Sequence, residues 1–222
     1  MSYKVRVWDL PTRIFHWSLV LCILGLVVTG QIGGNAMIWH FRFGYTMITL
    51  LLFRVVWGFV GGNWSRFTSF IYSPATIVRY LQGKGKPEHS VGHNPVGAGS
   101  VFALLLFLMA QVGSGLISDD EIMNSGPLTR FVSNAWVSLA TYYHKDIGKF
   151  ILLALVVLHV VAILFYLLRK KENLIKPMVW GDKITEAALP DSKDDANSRA
   201  LAVVLLMVCA VLVYGMLRFS GA

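Results

Sequence analysis

Cysteine is nearly absent from this sequence, and the spacings by which cysteines hold cofactors are absent altogether. The 222 residues include two cysteines, Cys22 and Cys209, which lie far apart in separate apolar stretches. No C-x-x-C-H sequence occurs, which excludes a covalently attached c-type haem. Two isolated cysteines also cannot build a zinc or iron–sulfur site from cysteine ligands. We therefore interpret both thiols as inert packing groups.

Charge is also scarce. Only 14% of the residues are charged and 55% are hydrophobic, and the mean hydropathy is +0.60. Such a chain is too apolar to be a soluble domain of this length. We expect the first apolar stretch to be a retained helix rather than a signal peptide, because it opens with Arg13 and His16 and no small-residue cleavage site follows. Five stretches can each cross about 30 Å of hydrocarbon, and they are residues 14–34, 38–61, 99–118, 144–168 and 200–219.

Lysine and arginine are divided unevenly between the connections. They are concentrated in the tail 1–13 and in the second and fourth connections, whereas residues 31–37 carry no charge and the third connection opens with three acids. By the positive-inside rule, the N-terminus lies in the cytoplasm and the C-terminus outside. This placement accounts for the net charge of +8 without a nucleic-acid partner.

Four histidines stand inside or at the rims of the apolar stretches, where an ionisable side chain is costly and usually marks a functional site. His16 opens the first stretch from the lysine- and arginine-rich side, and His40 opens the second from the opposite side. His144 and His159 are separated by about 22 Å along one helix. Up-and-down threading therefore puts His40 level with His144, and His16 level with His159. Any one histidine is as readily a packing residue, but two pairs at two depths suit two stacked b-type haems.

Other residues on the same helix faces fit this interpretation. Because a helix has about 3.6 residues per turn, Arg54 and Gly58 return close to the face of His40, and Gly30 returns to that of His16. A glycine lets a flat macrocycle approach the backbone, and a buried arginine needs an anion such as a haem propionate. Either glycine alone fits an ordinary helix contact better. Taken together, the residues give each helix a histidine at one depth and a glycine at the other: His16 and Gly30 on the first helix, and His40 and Gly58 on the second.

Four segments resemble one known family, the prokaryotic cytochrome b561 family, which includes the b-type cytochrome subunits of nickel–iron hydrogenases. Residues 7–17, VWDLPTRIFHW, resemble its first-helix signature, and residues 53–61, FRVVWGFVG, resemble the end of its second helix. The turn GHNP at 92–95 is similar to its entry to the third helix, and Leu158-His159 to its fourth-helix motif. The resemblance covers about residues 5–181.

The resemblance implies that His16 and His159 bind a haem on the cytoplasmic side, and that His40 and His144 bind one on the periplasmic side. Family members carry electrons between a quinone pool and a periplasmic redox partner, such as a hydrogenase or a c-type cytochrome. A multi-pass protein of the bacterial inner membrane is implied, and we expect its quinone pocket near His159, Arg13 and the 92–95 turn.

The predicted fold is an all-α membrane protein, a four-helix transmembrane di-haem bundle with a fifth C-terminal transmembrane helix. The core is expected over 1–181, a charged cytoplasmic connection over 182–199, and the fifth helix over 200–222. Two histidines stand apart from the four predicted ligands. We expect His89 to be a solvated loop residue, and His93 to contact a propionate or shape a quinone pocket without ligating iron.

Two other functions are compatible with the sequence. One is a self-contained quinone-linked oxidoreductase such as a superoxide oxidase, for which Arg42, Lys145 and Lys149 are the available steering cations at the outer rim. The other is a haem-free, histidine-lined proton or metal transporter. That function predicts a continuous polar path, whereas the interiors of the first, fourth and fifth helices are almost wholly apolar.

Overall fold

A computed structural model describes residues 2–221 of the chain, and these fold almost entirely into helices. Five helices within this range are long and apolar enough to cross a membrane, which confirms the predicted class of an all-α, five-span membrane protein. Most of their apolar side chains face outward, as expected where lipid rather than protein covers them. The spans are α1 (Leu10–Ile32), α2 (Met37–Val60, preceded by the 3-10 turn Gly34–Ala36), α4 (Pro95–Leu116), α5–α6 (within Asn134–Leu168) and α8 (Ala196–Ser220).

The fourth span starts ten residues earlier than the predicted boundary of 144. It consists of α5 (Asn134–Tyr142), a π-helical segment (Tyr143–Gly148) and α6 (Lys149–Leu168). The predicted boundary was wrong because the first turns carry polar side chains such as Ser138 and Thr141, which an apolar-run criterion excludes. The predicted ligand His144 therefore lies inside a helix, in its π segment, and not at its start.

The remaining elements are short. Helices α3 (Pro74–Leu81) and α7 (Ile175–Trp180) lie in the second and fourth connections. Strand β1 (Tyr3–Arg6) pairs antiparallel with β2 (Asp182–Thr185), with Tyr3 opposite Thr185. Strands of four residues are too short to give a readable sequence pattern, so this pairing was not predicted. It ties the N-terminal tail to the charged connection.

The chain divides into two compact units, each of which takes a section of every spanning helix. The first unit comprises residues up to His16 with Arg54–Ala103 and Val157–Leu205, and the second comprises Trp17–Phe53, Leu104–Val156 and the residues from Leu206 onward.

Asp9 is the centre of a buried hydrogen-bond network in the first unit. Its side chain is fully buried, and one carboxylate oxygen accepts from the backbone N–H of Thr12 at 2.8 Å, which caps the start of α1. The indole Nε1 of Trp57 donates to the same oxygen at 3.1 Å. The hydroxyl of Ser65 donates to the other oxygen at 2.6 Å. This network fixes the start of α1, seven residues before His16, against the end of α2.

Asp194 ties the start of α8 to the N-terminal tail within the same unit. Its carboxylate accepts from Arg6 Nη1 at 2.8 Å, from the backbone N–H of Leu10 at 3.1 Å and from Arg199 Nε at 2.9 Å. Burial acts to raise the pKa of this carboxyl, but the bonds from Arg199 and Leu10 outweigh it, and the net pKa is lowered. The residues of the charged connection are thus structurally joined to the first helix.

The Asp194 tether makes a pH-dependent contribution to stability. Because the pKa is lower in the folded state than its ordinary value near 3.9, the contribution is present above that value and is lost as the pH falls through the folded pKa. We expect Asp194→Asn to reduce stability by about 1–2 kcal/mol at pH 7, and the difference from wild type to shrink below about pH 4. Thermal unfolding of both proteins across this pH range tests the expectation. A difference independent of pH would contradict it.

Candidate functional site

The second unit brings the imidazole rings of His40 and His144 close together. Their ring centres are 6.2 Å apart and the ring planes are nearly perpendicular, at 87°. The Nδ1 atom of His40 lies 3.0 Å from the carbonyl oxygen of Leu26, and that of His144 lies 2.8 Å from the carbonyl oxygen of Gln111. A carbonyl oxygen can only accept, so both Nδ1 atoms carry the hydrogen. This leaves the Nε2 lone pairs available, which is how iron-binding histidines are oriented.

Each of the two histidines contacts a set of three residues on a different helix, which we call its cradle. A cradle consists of a residue that offers its carbonyl oxygen, a hydroxyl residue three positions later and a glycine four positions later. On α1 the carbonyl of Leu26 is followed by the Thr29 hydroxyl, 3.4 Å from His40 Nδ1, and then by Gly30. A Cβ atom added at Gly30 would lie 3.1 Å from the imidazole of His40. Residues i and i+4 share a helix face, so glycine at i+4 leaves the carbonyl of residue i open to the ring. The structure thus places the predicted residue Gly30 beside His40.

The second cradle, on α4, is formed by Gln111, Ser114 and Gly115. The Ser114 hydroxyl lies 3.4 Å from His144 Nδ1, and a Cβ atom at Gly115 would lie 2.8 Å from the same imidazole. Sequence reasoning missed this cradle. The available signal was the repeated order of a hydroxyl residue followed by glycine, Thr29-Gly30 and Ser114-Gly115, with a carbonyl-supplying residue three positions before the hydroxyl.

The first unit brings together the other two predicted ligands, His16 and His159. Their ring centres are 6.5 Å apart, with 48° between the ring planes. Two imidazole–metal bonds of about 2 Å each, extended by the distance from each nitrogen to its ring centre, add up to roughly 6 Å. Both pairs therefore have the spacing that one iron between two imidazoles requires, and the donor sets fit haem. Ligation itself stays a prediction.

Arg54 is buried in the first unit, with only 4% of its surface exposed. Its Nη1 atom is shielded from solvent and has no hydrogen-bond partner among residues 2–221. The guanidinium lies 4.7 Å from the centre of the Phe67 ring. The same ring fills the space beside Gly58, where an added Cβ would collide with it. A buried cation with an open donor suits a carboxylate, whereas the contact of Gly58 with a macrocycle stays a prediction.

His93 is packed between aromatic rings in the same unit. Its ring centre lies 4.7 Å from that of Trp8 and 4.4 Å from that of Phe70, and its Nδ1 atom has no hydrogen-bond partner among the described residues. Burial, reinforced by Arg54 and by the two predicted ligands of this unit, lowers the pKa of His93 to about 3. The imidazole is therefore neutral at physiological pH.

The prediction that His89 is a solvated loop residue was wrong. Only 9% of it is exposed, because the rings of Tyr72 and Tyr80 pack against it at 5.2 and 6.0 Å between ring centres. Its Nδ1 atom accepts from the backbone N–H of Lys86 at 3.2 Å. Sequence composition indicated a polar loop, and the two tyrosines that cover the ring lie in neither of its adjacent turns.

A chain of polar side chains lies near the predicted quinone region. The Tyr166 hydroxyl accepts from the Asn94 side-chain amide at 2.9 Å and lies 3.3 Å from the hydroxyl of Tyr80. Asn94 also caps α4, since its side-chain oxygen accepts from the backbone N–H of Gly97 at 2.7 Å. Arg13, which was predicted for the same region, donates to the backbone carbonyl of Val179 at 2.7 Å.

Comparisons with known proteins agree with the geometry. The model of the prokaryotic cytochrome b561 family matches residues 7–181. A probable Ni/Fe-hydrogenase B-type cytochrome subunit of Rhizobium leguminosarum bv. viciae is 25% identical over 215 residues, which cover 82% of this chain and 89% of that protein. The protein of the same name from Azotobacter vinelandii is 27% identical over 224 residues, covering 84% and 91%.

A shorter match is to the probable Ni/Fe-hydrogenase 1 B-type cytochrome subunit of Escherichia coli (strain K12), 28% identical over 135 residues, which cover 49% of this chain and 57% of that protein. No solved structure matches the chain. The residues matched by the family model include four of the five membrane-spanning helices and both histidine pairs. The chain therefore belongs to the prokaryotic cytochrome b561 family and is a membrane-embedded, electron-transferring b-type cytochrome.

Proposed function

We propose that the chain transfers electrons across the membrane through two b-type haems, between the quinone pool and a periplasmic redox partner. The observation that supports this most strongly is the pairing of four histidines into two sets, with ring centres 6.2 and 6.5 Å apart. When bound, haem supplies one-electron redox chemistry. Two axial histidines leave no open position on the iron, which favours electron transfer over the binding of a small external substrate.

The residues of the chain have distinct tasks in this proposal. His16 and His159 hold one haem and His40 and His144 the other. Leu26 and Gln111 fix the tautomer of the second pair through their carbonyls. Gly30 makes room for the imidazole of His40 and Gly58 for the ring of Phe67, so the expected contact of these two glycines with the macrocycles is not part of the proposal. Arg54 is proposed to bind a propionate of the haem held by His16 and His159.

Replacing Arg54 tests its proposed role without removing a ligand. We expect Arg54→Leu to keep haem content close to wild type and to lower the potential of the His16–His159 haem. A cation near the macrocycle favours the reduced, less positive iron, and removing it is expected to cost about 1–2 kcal/mol, or roughly 40–90 mV for one electron. A spectroscopic redox titration measures this. If the potentials of both haems stayed unchanged, Arg54 would not be near a haem carboxylate.

Quinone chemistry requires protons as well as electrons, so its pocket should adjoin hydroxyl and imidazole groups. The first unit offers these in the linked side chains of Tyr80, Tyr166 and Asn94, and in the neutral, buried imidazole of His93. We propose that the quinone pocket lies beside these side chains in the first unit. Arg13, which was expected near this pocket, donates to the Val179 carbonyl.

The names of the relatives support the proposed redox partner, and the placement of lysine and arginine supports the proposed orientation in the membrane. The relatives are named as B-type cytochrome subunits of Ni/Fe-hydrogenases, and we propose a hydrogenase-like subunit or a c-type cytochrome as the redox partner. The distribution of lysine and arginine supports an inner-membrane orientation with the N-terminus in the cytoplasm and the C-terminus in the periplasm.

Reconstitution into liposomes tests the function directly. Purified chain is inserted into vesicles with ferricyanide trapped inside, and a quinol is added outside. We expect ferricyanide reduction at a rate that depends on the protein, with quinol giving two electrons and releasing two protons per molecule oxidised. A variant lacking His144 is the matched control and should abolish the reaction. Reduction of both haems by quinol without transfer to the trapped acceptor would contradict the transmembrane role.

A further inference from the structure

We infer that Gln111 is a positioning residue for His144, which it holds through both its backbone and its side chain. The inference rests on the proposed function, because it concerns a histidine proposed to bind haem. The carbonyl oxygen of Gln111 accepts from His144 Nδ1 at 2.8 Å, and the side-chain Nε2 of Gln111 donates to the carbonyl oxygen of His144 at 2.9 Å. One residue thus contacts the ring and the backbone that carries it.

The direction of the amide is fixed by the partner. The carbonyl oxygen of His144 can only accept, so the NH₂ group of Gln111 must face it and the side-chain oxygen must point away. That oxygen is buried and has no hydrogen-bond partner among the described residues. Burying an amide oxygen without a hydrogen-bond partner inside a membrane span costs free energy. The bond from the same amide to His144 offsets that cost.

The backbone around His144 explains why a side-chain donor is useful there. His144 is the second residue of the π-helical segment Tyr143–Gly148, which interrupts the fourth span. A π segment departs from the regular α-helical ladder and is frequently found at functional sites. The amide of Gln111 ties one carbonyl of this irregular turn to α4. At the other end of the segment, Gly148 packs against Gln111 Oε1 and the Tyr143 ring, and an added Cβ would collide with both.

The cradle of His40 is an internal comparison. It has the same order of carbonyl, hydroxyl and glycine, but the residue at the carbonyl position is Leu26, whose side chain cannot donate, and His40 lies in the regular helix α2. The Gln111 amide is therefore the feature that distinguishes the two ligand cradles. It makes His144 the more rigidly oriented member of the pair.

The consequence concerns the proposed haem of this unit. A firm Nδ1–H···O=C bond raises the basicity of an imidazole ligand, which favours the oxidised iron. If the His144 backbone is freed, this bond weakens. The potential of the His40–His144 haem should then rise, and the imidazole should be displaced more readily by an external ligand.

The test replaces Gln111 with the residue that occupies the matched position of the other cradle. In Gln111→Leu, we expect two haems per chain to remain, the potential of the His40–His144 haem to become more positive, and the potential of the His16–His159 haem to stay as in wild type. Carbon monoxide added to the reduced protein should bind to up to half of the haem in the variant and to little in wild type. Gln82→Leu, which makes the same change at an exposed position, is the control and should match wild type.

A purely structural role would give a different result. Looser packing of α4 would lower the thermal stability and disturb both haems or neither, and that outcome would overturn the inference. If Gln111→Leu is not recovered from membranes, Gln111→Met tests the same contact, because it keeps the length of the side chain and removes the donor to the His144 carbonyl. No selective shift in that variant would also overturn the inference. Wild-type protein without haem would refute the proposed function itself, whereas two haems without a selective shift would refute only the role of Gln111.

Discussion

Replacing either His40 or His144 with alanine is expected to remove one and the same haem. The two ring centres are 6.2 Å apart and both Nδ1 atoms face carbonyl oxygens, so in the proposed site the loss of either imidazole would leave an iron with a single axial ligand. About half of the haem b should be lost or become five-coordinate and high-spin, while the other spectral component persists. His16→Ala and His159→Ala should remove the complementary component. Reduced-minus-oxidised spectra at low temperature resolve the two.

The matched control for this series is His89→Ala. His89 is a buried histidine, whereas the four predicted ligands are partly buried, and it packs against Tyr72 and Tyr80 outside the spans. Its replacement should leave both haems in place. If His40→Ala and His159→Ala deleted the same spectral component, the pairing of the histidines proposed for the two haems would be wrong.

The second large effect is expected at Asp9. In Asp9→Ala the N–H of Thr12, the indole of Trp57 and the hydroxyl of Ser65 all lose their shared acceptor. The Trp57 indole and the Ser65 hydroxyl keep Thr12 Oγ1 as a partner, at 3.2 and 2.8 Å. One to two buried donors are therefore left without a full partner, and at about 1–3 kcal/mol each a total loss of roughly 2–4 kcal/mol is expected. Because α1 carries His16, the His16–His159 haem should also become more easily lost. Thermal unfolding followed at the haem absorbance measures both effects.

Two comparison variants separate the Asp9 network from a general effect of charge. Asp9→Asn retains an oxygen that can accept from Thr12 and Trp57, and it should be destabilised by less than Asp9→Ala. Glu186→Ala removes an exposed carboxylate and should resemble wild type. Equal melting temperatures for Asp9→Ala and Glu186→Ala would show that the network contributes little.

The sequence was sufficient to predict features that depend on length, hydropathy and regular helix geometry. Apolar runs located all five spans, since crossing a bilayer requires about 20 apolar residues whatever the packing. Counting residues between histidines placed each of the four beside the partner that the structure gives it. That argument works because the rise and the period of a helix are nearly constant.

Features that depend on local departures from regular geometry could not be predicted. The π segment at Tyr143–Gly148 and the start of the fourth span at Asn134 involve polar residues that lower the hydropathy. The pairing of β1 with β2 joins residues about 180 positions apart through four-residue strands. None of these three features leaves a periodic signal in the sequence.

The supporting residues around the histidines were missed for a related reason. A lone Gln111 in an apolar helix signals only that some hydrogen bond exists, without naming its partner. Asp9 was read as part of a motif, and its contacts with Trp57 and Ser65 depend on how the end of α2 and the following loop fold back. These contacts join distant segments, and no local pattern encodes them.

The most direct measurement is the number and type of haems in the purified chain. A pyridine haemochrome assay with protein quantified by amino-acid analysis gives the stoichiometry, and electron paramagnetic resonance of the oxidised protein gives the ligation. Two haem b per chain, both low-spin with signals of bis-histidine ligation, is the predicted result. One haem per chain, or a high-spin signal from half of the iron in the unmodified protein, would contradict it.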